Sequence, residues 1–113
     1  MAAKLEPGQL DGVARLFRVL AEPTRLAILQ ELKAGPRAVS ELVDALAAKQ
    51  ANVSKQLGVL FDADLLDRAR DGNVVRYAVR DGMIFELCEL VCGKLRRDAE
   101  RRVEAFGGKV RRR

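Results

Sequence analysis

The sequence predicts a mainly α-helical chain with one small β-hairpin, in the order α-α-α-α-β-β-α. Three observations lead there. Apolar residues recur at helical spacing in four segments before residue 64 and in one long segment after residue 82. Only a few residues part the third segment from the fourth, as in a helix-turn-helix. Between the fourth and the last, the period shifts to two around Asp71-Gly72, a strong hairpin signal.

Residues 1–8 read as a loose start ending in Pro7-Gly8. Leu10, Val13, Leu16, Phe17 and Leu20 then mark a first helix. Glu22-Pro23-Thr24 opens a second, because proline suits a first helical position. Its expected buried stripe is Leu26, Leu29 and Leu32 with Ile28 beside them, and Gly35-Pro36 ends it. A third helix is expected at about Val39 to Leu46, with Val39, Leu42, Val43 and Leu46 inward. After the short break Ala47-Ala48-Lys49, a fourth runs from about Gln50 to Ala63 with Val53, Leu57 and Leu60 inward. Leu66–Arg70 and Asn73–Val79 flank the hairpin turn, with Val75, Tyr77 and Val79 on one face and Val74, Arg76 and Ala78 on the other. The last helix, about Met83 to Phe106, carries Ile84, Leu87, Cys88, Val91, Leu95, Ala99 and Val103 along one stripe. Residues 107–113 read as a flexible end.

The 113 residues fit a single domain, 1–113, and 49% of them are hydrophobic, enough for a modest core. The net charge is +5, but Lys109, Arg111, Arg112 and Arg113 at the end supply four of those charges, so basicity alone argues little about partners. With four Phe, one Tyr and no Trp, stacking platforms for single-stranded nucleic acid are not expected. Two cysteines, no signal peptide and no long apolar run point to the reducing cytoplasm and to no membrane partner. The absence of histidine, of a Gly-rich phosphate loop and of a nucleophile–base pair argues against an enzyme.

Three segments, in this order and spacing, resemble the ArsR/SmtB family of bacterial repressors. "LAEPTRLAILQEL" (Leu20–Leu32) is similar to the family's second-helix signature. "VSELVDALAAKQANVSKQLGVL" (Val39–Leu60) is similar to its helix-turn-helix, and "LLDRARDGNVVRYAV" (Leu65–Val79) to its wing. The resemblance implies a winged helix-turn-helix that binds double-stranded operator DNA as a homodimer through its first and last helices. The chain departs from the family pattern at Ala47 and Asp64, where glycine is usual, and at Lys49, where a Ser or Thr cap is usual.

In a helix-turn-helix the second helix enters the major groove with its N-terminal residues against base edges. Here that end offers Lys49, Gln50, Ala51, Asn52, Ser54, Lys55 and Gln56. Asn and Gln suit adenine, Lys suits guanine, and Ala51 is small enough to approach a thymine methyl. The wing adds Arg68, Arg70, Asn73 and Arg76 for phosphates or the minor groove. The alternative reading is a winged-helix module that binds protein or RNA and senses nothing.

Relatives of this kind often release DNA when a metal or thiol-reactive signal binds. Of the site types the resemblance brings, the metalloid site on the third helix would need cysteines where "SELVDAL" stands. The zinc site on the last helix would need histidines, and a redox pair would need a cysteine near "AILQEL". What remains is Cys88 and Cys92 in "FELCELVCGKL". Four residues apart, they lie about 40° around a helix and about 6 Å along it. Two soft thiols on one face suit arsenite or another thiophilic ion, or reaction with an oxidant, and a dimer gathers four. The same positions also suit two small apolar residues packed in a helix interface.

Overall fold

The computed structural model describes residues 3–107. Its elements are α1 (Pro7–Leu20), α2 (Pro23–Leu32), β1 (Arg37–Ala38), α3 (Val39–Leu46), α4 (Gln50–Asp62), β2 (Leu66–Asp71), β3 (Val74–Val79) and α5 (Met83–Ala105). The chain, read from sequence as one domain, groups its contacts into two compact units, one reaching to Asp81 and one starting at Gly82.

In the first unit, the core is built where apolar stripes meet. Ile28, Leu29 and Leu32 of α2, Leu42 of α3, Val53, Leu57 and Leu60 of α4, and Leu66 of β2 are all buried, with Leu20 and Ala38 at the margin. Each such side chain contributes about 1.5–3 kcal/mol of burial. Leu26, expected in the stripe of α2, is instead 39% exposed. A 3.6-residue period lets only one face of a ten-residue helix turn inward, and Ile28 occupies it with Leu29 and Leu32.

The elements differ from the sequence reading in several places. Helix α1 begins at Pro7 rather than after Gly8. Proline takes its first position, as Pro23 does in α2, and the Glu6 amide donates to Gln9 Oε1 at 2.7 Å. Strand β1 was not expected. Its two residues pair antiparallel with β3, Arg37 opposite Tyr77 and Ala38 opposite Arg76, giving a three-stranded sheet in the order β1-β3-β2. The hairpin register sets Asp71 opposite Val74, so Gly72-Asn73 makes the turn rather than Asp71-Gly72. Gly72 sits at φ 63°, the left-handed region that glycine enters without steric cost. Helix α4 ends at Asp62.

Ala47 and Asp64, the two positions where glycine was the usual residue, both adopt positive φ, 49° and 62°. Ala47 closes α3 and starts the tight turn into α4, where the Ala48 amide donates to the Val43 carbonyl at 3.2 Å.

The second unit is built on α5. An ion cluster braces its C-terminal half: Lys94 and Arg101 both reach Asp98, at 2.6 and 3.3 Å. The bond from Lys94 is the main reason the Asp98 carboxyl lies below its ordinary range. Ile84 is buried, whereas Val91, Leu95 and Val103 of the expected apolar stripe are exposed, as is Leu90 outside it. Residues 108–113, most of the expected flexible end, lie outside the described residues.

Candidate nucleic-acid interface

The candidate surface comprises the first two turns of α4 and the hairpin that follows it. Lys49 caps α4 without a side-chain bond, and no acidic residue stands in the first turn. The helix N-terminus is therefore left positive by its unpaired amides and by Lys49, an arrangement that favours an approaching phosphate. Gln50, Ala51, Asn52, Ser54 and Lys55 are all exposed here. Val53 and Leu57, at 0% exposure, hold the opposite face of the same turns in the core. The helical period thus sorts this segment into an anchored face and a polar, open one.

Gln56 departs from its expected role. It is 8% exposed and faces inward with Val53, Leu57 and Leu60. Its Oε1 accepts from Arg25 Nη1 at 2.7 Å, and its Nε2 donates to Asn52 Oδ1 at 3.0 Å. Arg25 is held in turn by the Val19 carbonyl, to which its Nε donates at 2.6 Å, while its backbone amide donates to Glu22 at the start of α2. Burial works against ionisation of Glu22, but the amides of Thr24 and Arg25 and the Arg25 charge prevail and hold its carboxyl below the ordinary range. Sequence reasoning overlooked Arg25. The spacing 53, 56, 57, 60 already placed Gln56 inward, and an inward glutamine requires a polar partner.

The wing cations divide by strand register. Arg68 lies opposite Tyr77 and Arg70 opposite Val75, so these four share one face and line a cleft of about 400 Å³. The Arg68 guanidinium sits 4.0 Å from the centroid of the Phe61 ring at the end of α4, a cation–π contact that ties strand to helix. Arg76 lies on the other face, opposite Ala69. Its Nη1 donates to Glu41 Oε1 at 2.9 Å, and the same oxygen accepts from the Ala38 amide at 2.8 Å. The Ala38 bond is the largest cause of the lowered Glu41 carboxyl, with the Arg76 charge adding to it. Arg76, expected at the DNA, is thus paired within the protein, and Glu41 joins α3 to the wing. Asn73 is exposed in the turn. At the base of the hairpin, Arg80 bonds Asp67 at 2.8 Å and Asp64 at 3.3 Å, the Asp67 bond chiefly raising its pKa.

On α5, Cys88 is half-buried and Cys92 exposed, and neither is in a disulfide. Among the described residues no group of three or more His, Cys, Asp or Glu is placed to hold a metal ion. No described helix is long and apolar enough to cross a membrane.

Two short helices at a tight turn, followed by a hairpin with cations beside it, define the class of winged helix-turn-helix proteins. The profile of the helix-turn-helix domain family matches residues 20–69. The chain belongs to the ArsR/SmtB family. It is 34% identical over 88 residues to the transcriptional regulator NmtR of Mycobacterium tuberculosis, covering 78% of this chain and 73% of that protein. It is 40% identical over 80 residues to a probable mercury resistance operon repressor of Streptomyces lividans, covering 71% of this chain and 64% of the relative. The crystal structure of Rv0081 from M. tuberculosis superposes with a TM-score of 0.76 at 35% identity, over 88% of this chain and 99% of that one. The solution structure of Mb0332 from Mycobacterium bovis, described as a homodimeric winged helix-turn-helix DNA-binding domain, gives 0.73 at 29% identity, over 89% and 95%. The chain spans just under two thirds of the length of the Streptomyces repressor.

Proposed function

We propose that this chain is a homodimeric transcriptional repressor that binds an operator through α4 and the β2–β3 wing. The observation that carries this reading is the exposed row Lys49, Gln50, Ala51, Asn52, Ser54 and Lys55 on the opening turns of α4, set against a buried apolar back. Those side chains match base edges and phosphates in the major groove, and Arg68 and Arg70 match backbone or minor groove beside it. The repressor names of relatives support the direction of regulation.

Dimerisation is supported by uncovered apolar side chains on the first and last helices. Leu10, Val13 and Phe17 of α1 are 41–53% exposed, and Leu90, Val91 and Leu95 of α5 are 49–71% exposed. A dimer is also the usual remedy for weak half-site binding.

For the inducer, the reading is a thiophilic ion such as arsenite, or an oxidant, at Cys88 and Cys92. The half exposure of Cys88 and the exposure of Cys92 leave both thiols open to such a ligand. Cys88 and Cys92 supply two soft ligands per chain, and two chains supply four. The mercury-resistance name of the Streptomyces relative fits a thiophilic signal. A coupling of 1–3 kcal/mol, typical of allosteric pairs, is enough to release an operator.

The test is fluorescence anisotropy with DNA from upstream of the gene, run reduced, oxidised and with arsenite. Salt-sensitive, sequence-selective binding that weakens at least about tenfold with arsenite supports the reading. Equal affinity for every duplex overturns it. A response that persists in the Cys88→Ser/Cys92→Ser double variant removes the thiols as the sensor.

A further inference from the structure

The contacts of Arg25, Gln56 and Asn52 form a chain with a single possible polarity. A guanidinium only donates hydrogen bonds, so the Gln56 atom 2.7 Å from Arg25 Nη1 is the carbonyl oxygen. That leaves the Gln56 amide nitrogen to face Asn52, where it meets an oxygen at 3.0 Å. The Asn52 amide is consequently pinned with Oδ1 toward the protein and its Nδ2 donor left over, on a side chain that is itself exposed. The anchor is firm: Arg25 Nε is bonded to the Val19 carbonyl at 2.6 Å, and Gln56 is 8% exposed, so water competes poorly for its amide. An unrestrained asparagine can turn over and offer either end to a base; this one is held in one sense.

We propose that Arg25 and Gln56 are specificity-determining positioning residues, which orient Asn52 to present an N–H donor to the base edge it reads. The inference rests on the operator-binding reading above. In the major groove guanine offers N7 and O6 and thymine offers O4, all acceptors, adenine offers both an acceptor and a donor, and cytosine offers only its N4 donor. Cytosine is the base this orientation rejects.

Gln56→Glu tests the polarity. A glutamate still pairs with Arg25 but has no donor for Asn52, so the Asn52 amide turns over and presents Oδ1 outward. Base preference is measured by selecting from a randomised operator pool and then by competition anisotropy, for the native chain, Asn52→Ala, Gln56→Glu and Gln56→Met, with circular dichroism as the check on folding. Asn52→Ala identifies the position read in each half-site. There, Gln56→Glu raises cytosine relative to guanine and thymine by about tenfold, within the range of one base contact. Gln56→Met, which removes the relay without adding charge, flattens the preference at that position and leaves affinity for random DNA near the native value. A folded Gln56→Glu with an unchanged base profile, or weakened equally on all sequences, overturns the proposal. So does a Gln56→Met variant that keeps the native profile, and that variant decides alone if Gln56→Glu does not fold. A native chain that selects no sequence from the pool overturns the operator reading itself, an outcome seen before any variant is compared.

Discussion

At the scale of single residues, the energetics turn on a few backbone and side-chain positions. Ala47 holds φ 49° at the end of α3, where a side chain meets steric resistance that glycine escapes. Ala47→Gly is therefore expected to stabilise the fold by roughly 0.5–1 kcal/mol, the relief of strain exceeding the added chain entropy. Chemical denaturation reads it directly, and a destabilised variant would show that the turn carries no strain. Leu42 is completely buried. Leu42→Ala should cost about 2–5 kcal/mol, through lost burial and the cavity left behind. On the DNA side, Asn52→Ala should weaken specific binding by about 1–3 kcal/mol and relax preference at one base. Equal losses on operator and random duplex would take Asn52 out of base readout.

At the scale of elements, the two faces of the wing differ in the contacts their cations make. Arg70 is exposed on the face it shares with Arg68, while Arg76 on the other face is bonded to Glu41. Arg70→Ala should reduce the slope of log K against log salt by about one unit. Arg76→Ala should leave that slope nearly unchanged and instead loosen the junction between α3 and β3, visible as faster amide exchange in β3. The same junction sets an acid limit. Because the Ala38 amide, then the Arg76 charge, lower the Glu41 pKa in the folded chain, the native state binds fewer protons there than the unfolded state. The stability this contributes is fully present above the ordinary glutamate value of about 4.3 and is lost as pH falls through the lower folded value. Glu41→Gln should flatten the acid limb of a stability–pH curve measured from pH 6 to 3. An identical limb would show that the pair contributes nothing.

At the scale of the whole molecule, the expectation is a dimer on a pseudo-palindrome, with half-sites about 10 base pairs or a multiple of that apart. Sedimentation or light scattering at micromolar concentration should return twice the chain mass. Phe17→Glu, which places a charge on the exposed face of α1, should shift the chain toward monomer and weaken operator binding while folding is retained. A native chain that is monomeric under those conditions would contradict the assembly.

What could be read from the sequence alone follows from periodicity and local sterics. Helical spacing located the five helices, and period two around Gly72 located the hairpin. The same rules placed Gln50, Asn52 and Ser54 on an open face, because the intervening Val53 and Leu57 belong inside. The resemblance marked 47 and 64 as positions where glycine is usual, and the residues there, Ala47 and Asp64, both take positive φ. Tertiary structure decided what periodicity cannot encode. Strand β1 is two residues long and exists only because β3 supplies its hydrogen-bond partners. Arg76 pairs with Glu41, 35 residues away, and Gln56 is satisfied by Arg25, 31 residues away. Local sequence states which side chains are polar and which face they occupy. Which donor meets which acceptor is settled only when distant segments pack, since a buried amide or a charged side chain takes whatever partner folding brings within 3 Å.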